Sequence, residues 1–360
     1  MTALAVLAAD PVTSVQDGGR RGAQRFGLPP SGAMDTASLA LANALVGNAP
    51  LAAAIEVGPF GAMFAARNGA VRVALAGAAR HATLNGTPMA ALRSFVVAEH
   101  ETLTLGPARE GVFSYLAIEG AIHGVPVFGS LSVNARAGLG SPLPRGLQAG
   151  DALTVDPMRS LHGERSITAP WRDDGPIRVV RGPQDDEFEP EAMALLCDSE
   201  WAIAAASDRM GYRLDGPPLR HHNGHNIVSD GTVTGSIQVP GSGQPIVLMP
   251  DRGTTGGYPK LATVISVDIG RLAQVRPGQR VRFSEVGVEQ AQALARRHAV
   301  ELTSLPGRIT ELGEIALDVA SLQDANVAGV AVSAVDAATW QPIPLRRQAW
   351  PAQPDEERKP

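Results

Sequence analysis

The stretch "DRGTTGGYPK" (251–260) gathers an acid, an arginine, two threonines, two adjacent glycines, a tyrosine and a lysine. Hydroxyls and glycine N–H groups can hold a carbonyl or carboxylate, and an ammonium can meet charge as it develops on an oxygen. The lysine is unusual here: of 31 cationic side chains, only Lys260 and Lys359 are lysine and the rest are arginine. A lysine ammonium is a compact charge whose pKa responds to burial, whereas arginine is a rigid planar fork. Lys260 is therefore a candidate catalytic group, with Arg252, Thr254, Thr255, Gly256, Gly257 and Tyr258 as candidate ligand contacts beside it. The phosphate loop G-x-x-x-x-G-K-[ST] is absent, so nucleotide binding cannot be read from this chain.

Two further stretches have chemical potential. "QDGGRRGAQRFGLPPSGAMD" (16–35) forces an irregular backbone with its glycines and prolines, and Arg20, Arg21 and Arg25 supply forks suited to a carboxylate or phosphate. Backbone N–H groups of the helix that follows Asp35 can add to an anion site, although the Asp35 carboxylate partly repels an anion. In "SDRMGYRLDG" (207–216) Asp208 and Arg209 can orient each other for binding or form a structural ion pair at a strand end, and Tyr212 offers an amphipathic ring. The histidines of "RHHNGHN" (220–226) suggest metal, but Asn-Gly marks a tight turn that spoils helical spacing between His221 and His225, and no metal site is expected. The lone Cys197 excludes an internal disulfide and a cysteine-based zinc cluster, and it sits in the apolar helical pattern "EAMALLCD".

The elements that must position these groups are mostly short strands. "AVRVALAG" places Val71, Val73 and Leu75 on one face at period two, and "GVFSYLAIEG", "PIRVVRG", "GTVTGSIQVP", "QPIVLMP", "LATVISVDIG" and "QRVRFSEV" behave alike. Many short strands between Gly and Pro turns predict closed or nearly closed β-barrels. Two helices interrupt them. "MDTASLALANALVGN" has Asp35 as its cap, Leu39, Ala42, Leu45 and Val46 as its apolar face and Gly47 at its end, and "VGVEQAQALARRHAV" follows the last clear strand.

The halves echo each other in order: "QDGGRRG" with "SDRMGYR", "AIEVGPFG" with "SIQVPGSG", "LQAGDALTV" with "VRPGQRVRF". Preserved order predicts two related barrels, 1–165 and 176–303, with a Pro- and charge-rich linker between them and a C-terminal extension, 304–360, that is partly disordered. A net charge of −5, with no basic stripe interleaved with aromatics, argues against nucleic acid. No apolar run spans a membrane, and the N-terminus lacks a basic leader, so a soluble, cytoplasmic protein is expected.

"QDGGRRGAQRFGLPPSGAMDTASLALANALVGN", "SYLAIEGAIHGVPVFGS", "SDRMGYRL" and "GSIQVPGSGQPIVLMPDRGTTGGYPKLATVISVDIGRLAQVRPGQRVRF" together resemble the C component of bacterial 5-oxoprolinase, in the biotin-dependent carboxyltransferase (allophanate hydrolase subunit 2) family. The resemblance implies a mainly β fold of tandem cyclophilin-like β-barrels with a few short helices. It places the family's polar motifs on Arg20, Ser31, Met34, Asp35, Asp208, Arg209, Tyr212, Gln238, Asp251, Arg252, Thr254, Thr255, Tyr258 and Lys260. Among these, Lys260, Asp35 and Arg209 are the expected catalytic groups and the others, Asp251 apart, expected substrate contacts.

The implied activity is ATP-dependent opening of 5-oxo-L-proline to L-glutamate, shared with partners that resemble the A and B components of 5-oxoprolinase, with ATP bound in the assembled complex. Relatives within urea carboxylase imply an alternative: carboxyl transfer to urea or another small amide from biotin on a separate carrier. A regulatory binding module is a third. The chain departs from the family pattern at Gly253, where the family has Gln, and at Leu131 and Val133 of "GSLSV", where it has Arg and Thr. Gly120-Ala121 and Gly18-Gly19-Arg20 are further departures, from "GG" and "LGR".

Overall fold

The computed structural model of the chain describes residues 1–158, 163–168, 173–222 and 224–312. It is mainly β, built on barrel-like sheets with few and mostly short helices. The first sheet draws nine strands from residues 3–154. Ser14–Gln16, Ala54–Val57, Thr102–Ile118, Ala62–Arg67, Ala3–Ala9 and Ala152–Thr154 follow one another across it, and Val71–Leu84 also pairs with Thr102–Ile118. The second draws eight shorter strands from residues 177–285, with Ser236–Gln238 between Ile246–Leu248 and Lys260–Val264 near its middle.

Alternation along Val71–Leu84 explains how the first sheet is packed. Val71, Val73 and Leu75 enter the apolar core on one face of the sheet, while the intervening Ala74 and Ala76 belong to a second core on the other face. Those small side chains give the helix Thr36–Leu45 room to lie close. Asp35 caps it, accepting Ser38 N–H at 3.1 Å, and Gly47 closes it with a φ of 77°.

The sequence predicts an apolar stripe on this helix, yet every residue from Ser38 to Leu45 is buried. The reason is its location: its core joins Ala76 and Tyr115 of the first sheet to Val179, Ile237 and Val247 of the second. A helix enclosed on all sides is apolar or small nearly all round, and the buried exception, Asn43, donates its amide to Ala52 O at 2.8 Å. Each fully buried leucine here contributes about 1.5–3 kcal/mol by removal from water.

The stretch read as a linker carries a strand of its own. Glu164–Ile167 pairs antiparallel with Ile309–Leu312, with Ser166 opposite Thr310. Both segments are four residues of mixed polarity, too short for period two to register in the sequence. Residues 304–312 are therefore anchored, with Leu305 buried, while the rest of the expected extension lies outside the described residues. Among the described residues no helix is long and apolar enough to cross a membrane.

Candidate functional site

The glycine-rich loop is organised by a carboxylate. Asp17 accepts from Gly19 N–H at 2.8 Å, Ser130 Oγ at 2.6 Å, Leu131 N–H at 2.7 Å and Ser132 Oγ at 2.5 Å. Gly19 has a φ of 82°, and a Cβ there would strike the carbonyls of Pro30 and Ser31. The chain folds back on itself at that contact, with Arg20 N–H donating to Pro30 O at 2.7 Å.

This turn sends Arg20 inward, where it is 1% exposed. Its Nη2 donates to Ser132 O, while Nε and Nη1 have no hydrogen-bond partner among the described residues. Burial lowers the Arg20 pKa; Asp17 and Asp251 oppose that shift and Arg209 adds to it. Arg21 and Arg25 behave differently: both are exposed, and Arg25 lies 4.8 Å over the ring of Phe26. Leu131 and Val133, the departures from the family pattern, serve this clamp through their backbones, Leu131 on Asp17 and Val133 N–H on Val15 O at 3.0 Å.

A buried polar joint connects the two halves beside Arg20. Arg209 donates to Glu56 Oε1 at 2.5 Å, to Asp251 Oδ2 at 2.8 Å and to Gly32 O at 2.7 Å. Glu56 is wholly buried and also accepts Met34 N–H at 2.8 Å and the Tyr115 hydroxyl at 2.7 Å. That hydroxyl in turn accepts Asp35 N–H at 2.7 Å. Asp35 Oδ2 accepts Ser38 Oγ at 2.6 Å and Gln274 Nε2 at 2.9 Å.

Charge and burial compete in this joint. Burial pushes the Glu56 carboxyl up, and its attraction to Arg209 only partly offsets that. For Arg209 burial lowers the pKa, but Asp251 and Glu56 together outweigh it and hold the guanidinium charged. Asp35 and Gln274 also line a large groove with Ser38, Arg178, Asp268 and Arg271, which includes none of Arg20, Arg252 or Lys260. Arg20, Arg252 and Lys260, buried and incompletely paired, lie outside that groove.

The loop 251–260 meets the glycine-rich loop. Ser31 N–H donates to Pro250 O at 3.1 Å, and the Ser31 hydroxyl accepts from Asn134 at 3.1 Å. Arg252, itself buried, donates to Gln24 Oε1 at 3.2 Å, Thr232 O at 3.1 Å and Thr234 Oγ1 at 3.1 Å. Thr255 and Gly256 form a short ladder with Gly231 and Asp230, which occupies part of the backbone expected to cradle a ligand. A Cβ on Gly256 would collide with the Gln238 amide, whose Nε2 lies 3.4 Å from Tyr258 O. Tyr258 and Thr255 are exposed, Thr254 and Gly257 half-buried.

Lys260 opens the strand Lys260–Val264 opposite Gln238. It is 1% exposed, and its Nζ lies 3.0 Å from Asp230 Oδ2 without making an aligned hydrogen bond. Gln184 supports the pair, its Nε2 3.1 Å from the same Asp230 oxygen and its Oε1 accepting Lys260 N–H at 3.3 Å.

Three expected contacts are turned to structural use in this state. Tyr212 is buried and donates its hydroxyl to Ala273 O at 2.9 Å, Asp208 accepts Met210 N–H at 2.8 Å within its own turn, and the Met34 side chain is in the core. Sequence reasoning does not single out Asp17, Glu56, Tyr115, Gln274, Asp230 or Gln184. Glu56 had a signal: in the matched motifs "AIEV" and "SIQV" it occupies the place of Gln238, an acid between Ile55 and Val57 in a buried strand.

An amphipathic pair of sheets around one shared helix, with buried cations where two loops meet, matches a known class. The carboxyltransferase domain family, subdomains A and B, matches residues 26–285, and the chain belongs to it. Two relatives bear the name of the C component of 5-oxoprolinase: one from Haemophilus influenzae, 36% identical over 81% of this chain and 94% of its own, and one from Escherichia coli, 36% identical over 80% and 93%. Urea amidolyase of Saccharomyces cerevisiae is 30% identical over 85% of this chain but 18% of its own length.

Among solved structures, the K. lactis urea amidolyase overlays with a TM-score of 0.78 at 26% identity, over 88% of this chain and 20% of that one. TTHA0988 overlays with a TM-score of 0.71 at 35% identity, over 79% of this chain; the chain spans 55% of its length.

Proposed function

We propose that this chain is the C-type component of a multi-subunit, ATP-dependent 5-oxoprolinase, a cytoplasmic assembly that opens 5-oxo-L-proline to L-glutamate. The observation that carries the reading is the 36% identity along nearly the whole length of two relatives of that name, against 28–30% for the urea-amidolyase and urea-carboxylase relatives. ATP is assigned to the A-like and B-like partners. On this chain, Lys260 is the proposed source of positive charge as an oxyanion forms, and its burial beside one half-exposed carboxylate supports that role. Arg209 and Asp35 act from the joint, holding the loop that carries Arg20 and Ser31.

The second reading, a carboxyltransferase component for urea or a small amide with biotin on a separate carrier, is favoured by the overlay on urea amidolyase, whose TM-score of 0.78 exceeds the 0.71 of TTHA0988. One experiment separates the two. The chain is purified with its A-like and B-like partners and assayed for ATP consumption with 5-oxo-L-proline, and separately it is assayed with urea, bicarbonate, ATP, a biotinylated carrier protein and a biotin carboxylase. Glutamate formation is expected; carboxylation of urea without glutamate formation transfers the chain to the second reading.

A further inference from the structure

Two exposed aromatic rings meet on the surface, each carried by a different turn. Phe26 is 60% and Phe128 52% exposed, and their ring centroids lie 5.9 Å apart. Val125, in the same segment as Phe128, is exposed too. Single apolar residues on a surface are ordinary, whereas a cluster of them marks an interaction site.

Both turns are fixed from beneath. Phe128 and Gly129 have φ of 51° and 76°, and Val127 and Ser130 bracket them with N–H to carbonyl bonds in both directions, at 2.8 and 3.3 Å. Positive φ at both central positions is what a type I′ hairpin turn demands, and Asn-Gly, Asp-Gly or Gly-Gly meets it most easily. A bulky ring in the first of those positions is strained. Ser130 ties this turn to the glycine-rich loop, its hydroxyl donating to Asp17 at 2.6 Å. Phe26 ends the short turn Gln24–Phe26, which the second half fastens: Gln24 Nε2 donates to Thr232 O at 2.8 Å, and its Oε1 accepts from Arg252 at 3.2 Å. Rings held in place before a partner arrives lose little freedom on binding.

Charge narrows the occupant. Arg25 lies over the Phe26 ring, Arg21 stands earlier in the same loop, and both are exposed without a carboxylate partner among the described residues. Residues 18–34 and 120–150 contain no Asp or Glu, in a chain whose net charge is −5. A symmetric contact with a second copy would set these arginines against their own counterparts. The Phe26 face already carries Arg25, so it is not an open platform for a nucleic-acid base. An acidic protein surface with apolar side chains answers both the rings and the arginines.

We propose that Phe26 and Phe128, flanked by Arg21 and Arg25, form the docking surface for an acidic face of a partner component of the assembly. The inference rests on the reading of this chain as one component of several.

The test measures binding of the full chain to its purified A-like and B-like partners by biolayer interferometry, at about 50 and about 500 mM salt. The wild type is expected to bind more weakly at the higher salt. Phe128→Asn is expected to weaken binding by about tenfold or more, the effect of losing an aromatic anchor. It should melt no lower than wild type, because Asn suits the turn; a ring serving only the fold would do the reverse, lowering the melting temperature and leaving binding alone. Arg25→Glu is expected to weaken binding strongly at low salt and less at high salt. No binding by the wild type, unchanged binding by both variants, self-association of the wild type that Phe128→Asn abolishes, or displacement of the partners by a single-stranded oligonucleotide overturns the surface. Glutamate formation is scored separately at saturating partner concentrations, so the surface can fall while the function stands.

Discussion

Arg209 is the residue on which the joint between the halves turns, and replacing it with methionine is the most informative perturbation of stability. Its guanidinium is the counter-charge for Glu56, which is 0% exposed, and for Asp251. Removing one member of a buried ion pair leaves an uncompensated charge and costs about 3–5 kcal/mol. For a unit of this size about 2 °C of melting temperature accompanies each kcal/mol, so Arg209→Met should melt about 6–10 °C below wild type near neutral pH.

The pH dependence gives the sign. Burial already raises the Glu56 pKa above its ordinary value of 4.5 in the folded chain. Its contribution is therefore fully present below the ordinary carboxylate range and is lost as pH rises through the folded pKa. Without Arg209 that folded pKa climbs further and the loss deepens. Thermal melts at pH 5 and pH 8 should show Arg209→Met closer to wild type at pH 5, and the double variant Arg209→Met/Glu56→Gln should recover much of the deficit at pH 8. A single variant that melts with wild type at both pH values, or one that suffers more at pH 5, would refute the assignment of Glu56 as the stranded charge.

Three other outcomes are expected. Lys260→Arg should fold and assemble but lower turnover in the reconstituted complex by about 10²-fold, the scale of losing one preorganised donor; Lys260→Ala should also lower the melting temperature, and full activity in Lys260→Arg would make the lone lysine an accident of composition. The isolated chain with ATP should not convert 5-oxo-L-proline, while co-expression with the A-like and B-like partners should yield a stable complex on a sizing column. Gly19→Ala should destabilise by more than the ~1–2 kcal/mol of a left-handed alanine, because its Cβ also meets two carbonyls, whereas Gly22→Ala, with the same sign of φ and open space around it, should cost no more than that; equal melting temperatures for the two would sink the close-approach argument.

Much of this arrangement is legible in the chain where the signal is local. The alternation of Val71, Val73 and Leu75, the cap at Asp35 and the stop at Gly47 all depend on neighbours within a few residues, and each is found. The joint is not legible in that way, because Arg209 and Glu56 are 153 positions apart and nothing in either local pattern names the other. Tyr212 is likewise placed by a distant contact: its hydroxyl donates to a buried carbonyl at Ala273, 61 positions along the chain. Composition marks Lys260 as exceptional, yet its burial and its pairing with Asp230 follow only from the register that sets its strand against Gln238.

The duplicated motifs sharpen the distinction between structural and functional arginines. Asp17 and Asp208 each accept the N–H two residues on, Gly19 at 2.8 Å and Met210 at 2.8 Å, so the matched stretches share a turn. The arginines near these turns, one position after Asp208 and three after Asp17, meet different fates. Arg209 finds Glu56, Asp251 and Gly32 O, whereas Arg20 finds only Ser132 O. Arg209, fully paired, ties the two halves together, whereas Arg20 keeps Nε and Nη1 without a hydrogen-bond partner among the described residues.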